Sequence, residues 1–432
     1  MNKRFISIQT HSRYLFNLCS TFLSQIVSAL SILILTPILL GRLGTADFGT
    51  YGVILNVVVF AGIFDFGLNI GLLKKLIHNA SESVQLINTL IFFFCFLLLL
   101  GMPILYTLFY VKIIKVENSI LFYSCITALL ITQNMLAALF DVVIQSANKI
   151  FVGKTIRVVK LLLEFLLILV LSTQYSIAVL LLVSAAVNFI YLFMLFYHAR
   201  KEINFKIAFD FFSISLLMTH LQYSFWYFLT SVAGMLVFNS QVILMNSFVG
   251  ADGVAKYLIV TRFYDIIRIG LSNFTIVLFP RLANIQQEGN WVLIKQLFYK
   301  SMKSMTLFAV AVFLATIFIA KPFFLQWSKY PDAEMVSLFT LFSLFILFIV
   351  IDNVSATYIS ALKLNRMPTI VSIFQGIIGL ILGYFLLLQY GIIGMALGSL
   401  IALLITNFIF NPWYLLKTFQ QYIDTQKKYD GV

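Results

Sequence analysis

The sequence predicts an all-α polytopic membrane protein of about 12 transmembrane helices, built as two six-helix bundles in parallel repeat around a central cavity. Three observations predict this. The 432 residues are 61% apolar and 10% charged, with a mean hydropathy of +1.01, whereas soluble domains are about 45–50% apolar and about 25% charged. The apolar residues come in runs such as 86–102 and 370–388. About 20 such residues cross a hydrocarbon core of roughly 30 Å as helix, while barrel strands would alternate in polarity over about 10 residues. Finally, short motifs recur half a chain apart.

The elements follow in order. Lys3, Arg4 and Arg13 precede an apolar run, 16–40, that is too long for a cleavable signal and has no A-x-A site after it. It is therefore read as a retained first span, bent at Pro37. The second span, 51–72, starts beyond a Gly-containing turn. Spans 86–110 and 119–143 flank Lys112 and Lys115. The fifth, 157–173, is short, and a tight turn at Ser172–Ser176 separates it from the sixth, 175–197. The seventh, 214–248, is long enough to tilt, and the eighth is 255–282. Residues 284–305 carry Trp291, Leu293, Ile294, Leu297 and Phe298 against Lys295, Lys300 and Lys303. That is the pattern of an interfacial helix on anionic lipid. Spans 301–320, 336–362, 368–388 and 391–415 complete the chain, and the halves divide as 1–213 and 214–432.

Net charge +13 would suit a nucleic-acid partner, but the basic residues sit in short connections rather than on one patch. Of the 29 Lys and Arg, 21 fall on one set of alternate connections and 6 on the other, with Arg262 and Arg268 inside a span. Positive charge marks the cytoplasmic side, so both termini are placed there and no nucleic acid is expected. Cys19, Cys95 and Cys125 lie in apolar stretches without paired spacing and read as small hydrophobes.

Leu43–Tyr51 and Val249–Tyr257 match in Gly and Tyr at an offset of 206. Gln174-Tyr175 resembles Gln389-Tyr390, and Val187-Asn188-Phe189-Ile190 resembles Thr406-Asn407-Phe408-Ile409. The offset holds an even number of spans, so the halves run in the same direction, as in parallel-repeat transporters with a substrate path between two bundles.

Pro37-x-x-x-Gly41-Arg42-Leu43-Gly44-x-x-x-Phe48-Gly49-x-Tyr51, followed by Asp65-Phe66-Gly67-Leu68, resembles the start of the polysaccharide transporters, the Wzx-type O-antigen flippases of the MATE-like (MOP) superfamily. Thr261-Arg262, Phe279-Pro280-Arg281-Leu282, Ala361–Asn365 and Tyr390–Gly394 fit the same pattern. The resemblance implies a bacterial inner-membrane flippase that moves an undecaprenyl-diphosphate-linked oligosaccharide for O-antigen or a related surface polysaccharide; the longest expected external loop, 321–335, carries no paired-acid motif or His cluster, so no enzyme is expected. It implies alternating access driven by H⁺ or Na⁺, membrane lipids and other polysaccharide assembly proteins as partners, and no cofactor. The first span lacks the carboxylate that multidrug exporters of the superfamily often carry. A MATE-like multidrug antiporter is the alternative, with a membrane polysaccharide polymerase behind it.

Charges at bilayer depth cost at least about 2.5–3.5 kcal/mol each, so each needs a partner, a cavity or a function. Arg262, Asp265 and Arg268 lie at i, i+3 and i+6 within one sector of the eighth span. The arginines are read as diphosphate ligands, since guanidinium meets phosphate oxygens two at a time, with Asp265 orienting them; an ion pair that only fixes packing is the competing explanation. Asp65, Glu164 and Asp352 are isolated carboxylates suited to ion coupling. Against that, Glu164 has Lys160 one turn earlier, and Asp65 is placed to cap or kink its helix beside Gly62 and Gly67. Asp141 is expected to be solvated or to face Lys149. Asn56, Asn69, Gln133, Asn134, Asn239, Gln241 and Asn246 are either sugar contacts or interhelical hydrogen bonds.

Overall fold

The computed structural model describes residues 2–78, 83–111, 119–171, 176–276, 282, 285–286, 288–328 and 332–430. The motifs Gln174-Tyr175 and Phe279-Pro280-Arg281 lie outside them. Among the described residues there is no strand. The helices are α1 (Asn2–Phe60), α2 (Leu68–His78), α3 (Ser83–Tyr110), α4 (Ile120–Ser146), α5 (Ile150–Leu171), α6 (Ile177–Glu202), α7 (Ile214–Phe238), α8 (Ser240–Ile276), α9 (Trp291–Ala315), α10 (Lys321–Ser328), α11 (Ala333–Ala361), α12 (Arg366–Ile405) and α13 (Asn407–Asp430). A π turn, Thr316–Ala320, joins α9 to α10.

Among the described residues, eight continuous helical stretches are long and apolar enough to cross a membrane. Three of them, Cys19–Asp65, Ile214–Arg268 and Arg366–Gln426, run 47, 55 and 61 residues, twice the length a span requires. Each is divided by a glycine with non-helical backbone: Gly44 (φ 77, ψ 175), Gly250 (φ 72, ψ −178) and Gly391 (φ 58, ψ −144). With α5, whose Lys154, Arg157, Lys160 and Glu164 lower its hydropathy, the total reaches the twelve spans expected.

Gly44 and Gly250 occupy the same region of backbone space, one that is essentially closed to side chains. They are also the glycines of the motif pair offset by 206, so the repeated sequence carries a repeated backbone break. Pro37, expected to bend the first span, lies inside α1 with helical backbone, and a non-helical break follows seven residues later at Gly44. A glycine with positive φ interrupts the hydrogen-bond ladder, whereas a proline removes one donor that neighbouring groups can replace.

The chain forms two compact units: Met1–Ser231 with Gly250–Ala255, and Val232–Val249 with Lys256–Val432. In the first, Leu86, Leu90 and Phe94 of α3 pack with Leu139, Phe140 and Val143 of α4 and Leu195 and Ala199 of α6. The turn at Gly49 meets residue 251 so closely that a Cβ there would overlap the Ala251 carbonyl. Asn17 of α1 accepts from the Phe151 N–H at 2.8 Å, tying α1 to the start of α5. Arg42, from the Pro37–Tyr51 motif, donates to the Leu169 carbonyl at the far end of α5 (3.3 Å). The fifth span is thus longer than 157–173, because its basic first two turns are helical as well.

In the second unit the expected interfacial helix is instead the first half of α9. Its apolar stripe is covered by protein: Ile294 and Phe298 are buried with Val354, Tyr358, Leu415 and Phe419, and Trp291 stacks on Tyr422 at 4.1 Å. Asp332 caps α11 through the Met335 N–H (2.7 Å) and pairs with Lys256 at 2.5 Å.

Candidate functional site

The three α8 residues follow the Gly250 break in the second unit. Arg268 donates from Nε and Nη2 to Asp265 Oδ1 at 3.2 and 2.9 Å, and its guanidinium lies 4.4 Å from the Phe238 ring centroid. The Asp265 side chain is 49% exposed and that of Arg268 31%. The pair therefore retains open acceptor and donor capacity. Arg262 is half-buried one turn before Asp265. Two guanidinium groups and one carboxylate leave this stretch of α8 with net charge +1, the sign an anionic headgroup requires.

The three isolated carboxylates sit in different local surroundings. Asp65 lies in a 3₁₀ turn, Ala61–Asp65, between α1 and α2, and its Oδ1 accepts from the Gly67 N–H. Phe66 (φ 53) and Gly67 (φ 70) are left-handed, so the carboxylate closes a chain reversal, and a Cβ on Gly67 would overlap the Phe228 backbone of α7. Glu164 accepts from Ser184 of α6 at 2.6 Å and lies 3.8 Å from Lys160. Asp352 of α11 accepts from Asn411 Nδ2 of α13 at 3.0 Å. Asp65 and Glu164 belong to the first unit and Asp352 to the second.

Asp141 does not face Lys149. Lys149 pairs with Glu202 at 2.6 Å, while Asp141 accepts from Gln145 at 2.7 Å and presses on Gly153, where a Cβ would overlap its carboxylate. Glycine at 153 lets α5 approach α4, and the carboxylate fills that space.

Several amides bond within the protein. Gln133 donates to the Ala185 carbonyl (3.1 Å), Asn56 turns back on its own helix, and Asn239, between α7 and α8, donates to Met235 Sδ. Gln241 is buried between Ser399, to which it donates at 2.5 Å, and the Tyr257 hydroxyl, which donates to it. Asn69 and Asn246 are buried, and Asn134 is exposed. The partners Ser184, Ser399 and Asn411 were not singled out in the sequence. They lie 20, 158 and 59 residues from the groups they serve, and no local spacing identifies them. In the first unit a cavity of about 440 Å³ is lined by Phe66, Leu221, Gln222, Phe225 and Phe228, beside the Asp65 reversal.

In fold, the chain is similar to the lipid II flippase MurJ in an inward closed conformation, with a TM-score of 0.71 at 17% identity, covering 95% of this chain and 90% of that one. It is similar to an inward-facing multidrug resistance MATE family transporter of the MOP superfamily, with a TM-score of 0.71 at 12% identity, covering 92% and 99%. A MOP superfamily transporter from Pyrococcus furiosus gives 0.59 at 12% identity, covering 93% and 94%. The fold therefore defines a multi-pass helical membrane protein of the MurJ and MATE type. The polysaccharide biosynthesis protein model matches residues 15–286, more than half of the chain, and the chain belongs to that family. A comparison with curated proteins gives no match.

Proposed function

We propose that the protein is a flippase for an undecaprenyl-diphosphate-linked oligosaccharide, an O-antigen or related surface-polysaccharide repeat unit, in a bacterial inner membrane. The observation that carries the reading is the coincidence of a polysaccharide-biosynthesis family with a fold like that of a lipid II flippase. Nothing covalent happens to the cargo. A diphosphate and its sugars must pass the bilayer centre, where uncompensated charge is costly, and the two halves, 1–213 and 214–432, would alternate access to it. Arg262 and Arg268 would hold the phosphate oxygens, with Asp265 fixing the Arg268 fork. Asp352, Asp65 and Glu164 would couple the movement to H⁺ or Na⁺. The hydrogen bond from Gly67 to Asp65 and the pairing of Glu164 with Ser184 and Lys160 favour Asp352 among these three. Both termini would be cytoplasmic by the distribution of Lys and Arg, and other polysaccharide assembly proteins would be partners on that side or opposite it.

The test is reconstitution. Purified protein in liposomes should move a fluorescent prenyl-diphosphate sugar, and Arg262→Ala should insert normally and lose that movement. Wild-type flipping by Arg262→Ala would remove the phosphate-ligand assignment. The likeness to MATE transporters keeps one alternative, a drug/cation antiporter. Gradient-driven efflux of a cationic dye without sugar-lipid movement would establish it in place of the flippase.

A further inference from the structure

The cavity of about 440 Å³ in the first unit lies between the Asp65 reversal and α7. Its walls are three phenylalanine rings, Phe66, Phe225 and Phe228, with Leu221, and Gln222 is the polar member among the described lining residues. Leu221, Phe225 and Phe228 recur at helical spacing and form one stripe of α7. Phe66 reaches that stripe through an uncommon backbone. Its φ is 53, a left-handed conformation that bulky side chains rarely adopt. The hydrogen bond from the Gly67 N–H to Asp65 Oδ1 closes the reversal that holds it there. From that position the Phe66 ring meets Phe228 at 5.3 Å and is braced by Phe93 of α3 at 6.1 Å. Phe225 is 50% exposed, so the cavity opens at that ring.

Backbone outliers of this kind cluster at ligand clamps and other functional sites, and here the ring that the outlier places walls a cavity instead of filling it. The volume falls within the range of about 300–1,000 Å³ in which pockets take organic ligands. The lining carries no charge, so a phosphate or a cation would lose its hydration there without a partner. We propose that the cavity is a binding site for a length of isoprenoid chain, the lipid part of a prenyl-diphosphate cargo. Such a chain is flat at each trisubstituted double bond and carries a methyl branch beside it. Flat π groups gain from ring faces and edges at separations of roughly 4.5–7 Å. The Phe66 and Phe228 rings are tilted by 44° and offer both a face and an edge. A saturated, unbranched acyl chain gains only buried area, which leucine side chains would supply as well. Three rings in place of three aliphatic side chains therefore favour the prenyl chain over bulk phospholipid. The site rests on the flippase reading for its consequence in transport, though not for its preference between chains.

The experiment is photolabelling of the purified full-length chain in detergent with farnesyl monophosphate that carries a diazirine on its terminal isoprene unit, followed by peptide mapping. The wild type should be labelled at Phe66 or within 221–228. Unlabelled farnesyl phosphate should suppress the label, and a saturated, unbranched alkyl phosphate of equal chain length should not. Leu221→Trp, which fills the cavity, and Phe66→Gly, which removes a ring and suits the left-handed backbone, should each weaken labelling by roughly tenfold or more. Tyr223→Leu, two residues from both Leu221 and Phe225 and so turned away from their stripe, should be labelled as the wild type is. Size-exclusion elution confirms that each variant is folded; if one of the two cavity variants is not, the other decides. Absence of label in the cavity, equal suppression by the alkyl phosphate, or wild-type labelling of either folded cavity variant would overturn the site. Labelling here without sugar-lipid flipping would refute the flippase reading and leave the site standing, and flipping without label in the cavity would do the reverse.

Discussion

Replacing Gly44 by alanine separates backbone strain from steric strain. The residue sits at φ 77, ψ 175 inside α1, and a Cβ built there meets no atom within 4 Å. The whole penalty is therefore conformational, about 1–3 kcal/mol for a side chain forced into that region. Gly41, three residues earlier, also has open space around its Cβ but keeps helical backbone. Alanine there should stabilise the helix by up to about 1 kcal/mol. The two substitutions add the same methyl group and differ only in φ and ψ, so their effects should diverge by about 1–4 kcal/mol. That is roughly a fivefold or greater difference in the unfolding equilibrium. Detergent-solubilised protein titrated with SDS and followed by circular dichroism measures it. Gly250→Ala, with the matching backbone, should behave as Gly44→Ala does. If Gly41→Ala and Gly44→Ala shift the midpoint in the same direction by similar amounts, the break at Gly44 is not a property of the folded protein.

Other perturbations test separate contacts. Tyr257→Phe leaves Gln241 Oε1 buried without its donor and should cost about 1–3 kcal/mol by the same titration; a neutral substitution would mean Gln241 finds another partner. Trp291→Ala removes the stack on Tyr422 from a partly buried site and should lower stability by about 0.5–1.5 kcal/mol beyond the lost buried area, with protease sensitivity of the α13 end as the readout. Asp332 is held below the usual carboxylate range: burial works to raise it, but the hydrogen bond from Lys256 and the Met335 N–H more than offset that. Its contribution is thus present above the unfolded pKa of about 3.9 and is lost as pH falls through the lower folded value. Melting curves from pH 7 to pH 3 should fall more steeply for the wild type than for Asp332→Asn at the acid end.

Much of the architecture was legible in the sequence because the hydrophobic effect writes it in runs. The apolar stretches marked the spans, and Leu43–Tyr51 and Val249–Tyr257 marked paired turns before their matching backbone was known. Pro37 lies in helical backbone, because a proline in an apolar helix can be accommodated locally, while the non-helical break falls at Gly44 with φ 77. Residues 291–305 misled because a basic amphipathic stripe looks the same whether lipid or protein covers it. Asp65 was legible as a cap, since Gly67 two residues on invites the reversal. Lys160 and Glu164 were legible as an i, i+4 pair, but Ser184, which makes the shorter contact, is on another helix. The partnership of Asp352 with Asn411 lay 59 residues away and depended on how α11 meets α13. Helical periodicity says which side chains share a stripe, and only packing says which stripe they face.

The docking of α13 on α9 has a practical corollary. Leu415 and Phe419 complete the core that begins at Ile294 and Phe298, and Tyr422 covers Trp291. The last helix is accordingly a structural wall rather than a dispensable tail. Reporter or affinity fusions belong after residue 430, and a chain cut near residue 412 would present bare aromatic surface to whatever surrounds it and be cleared as misfolded.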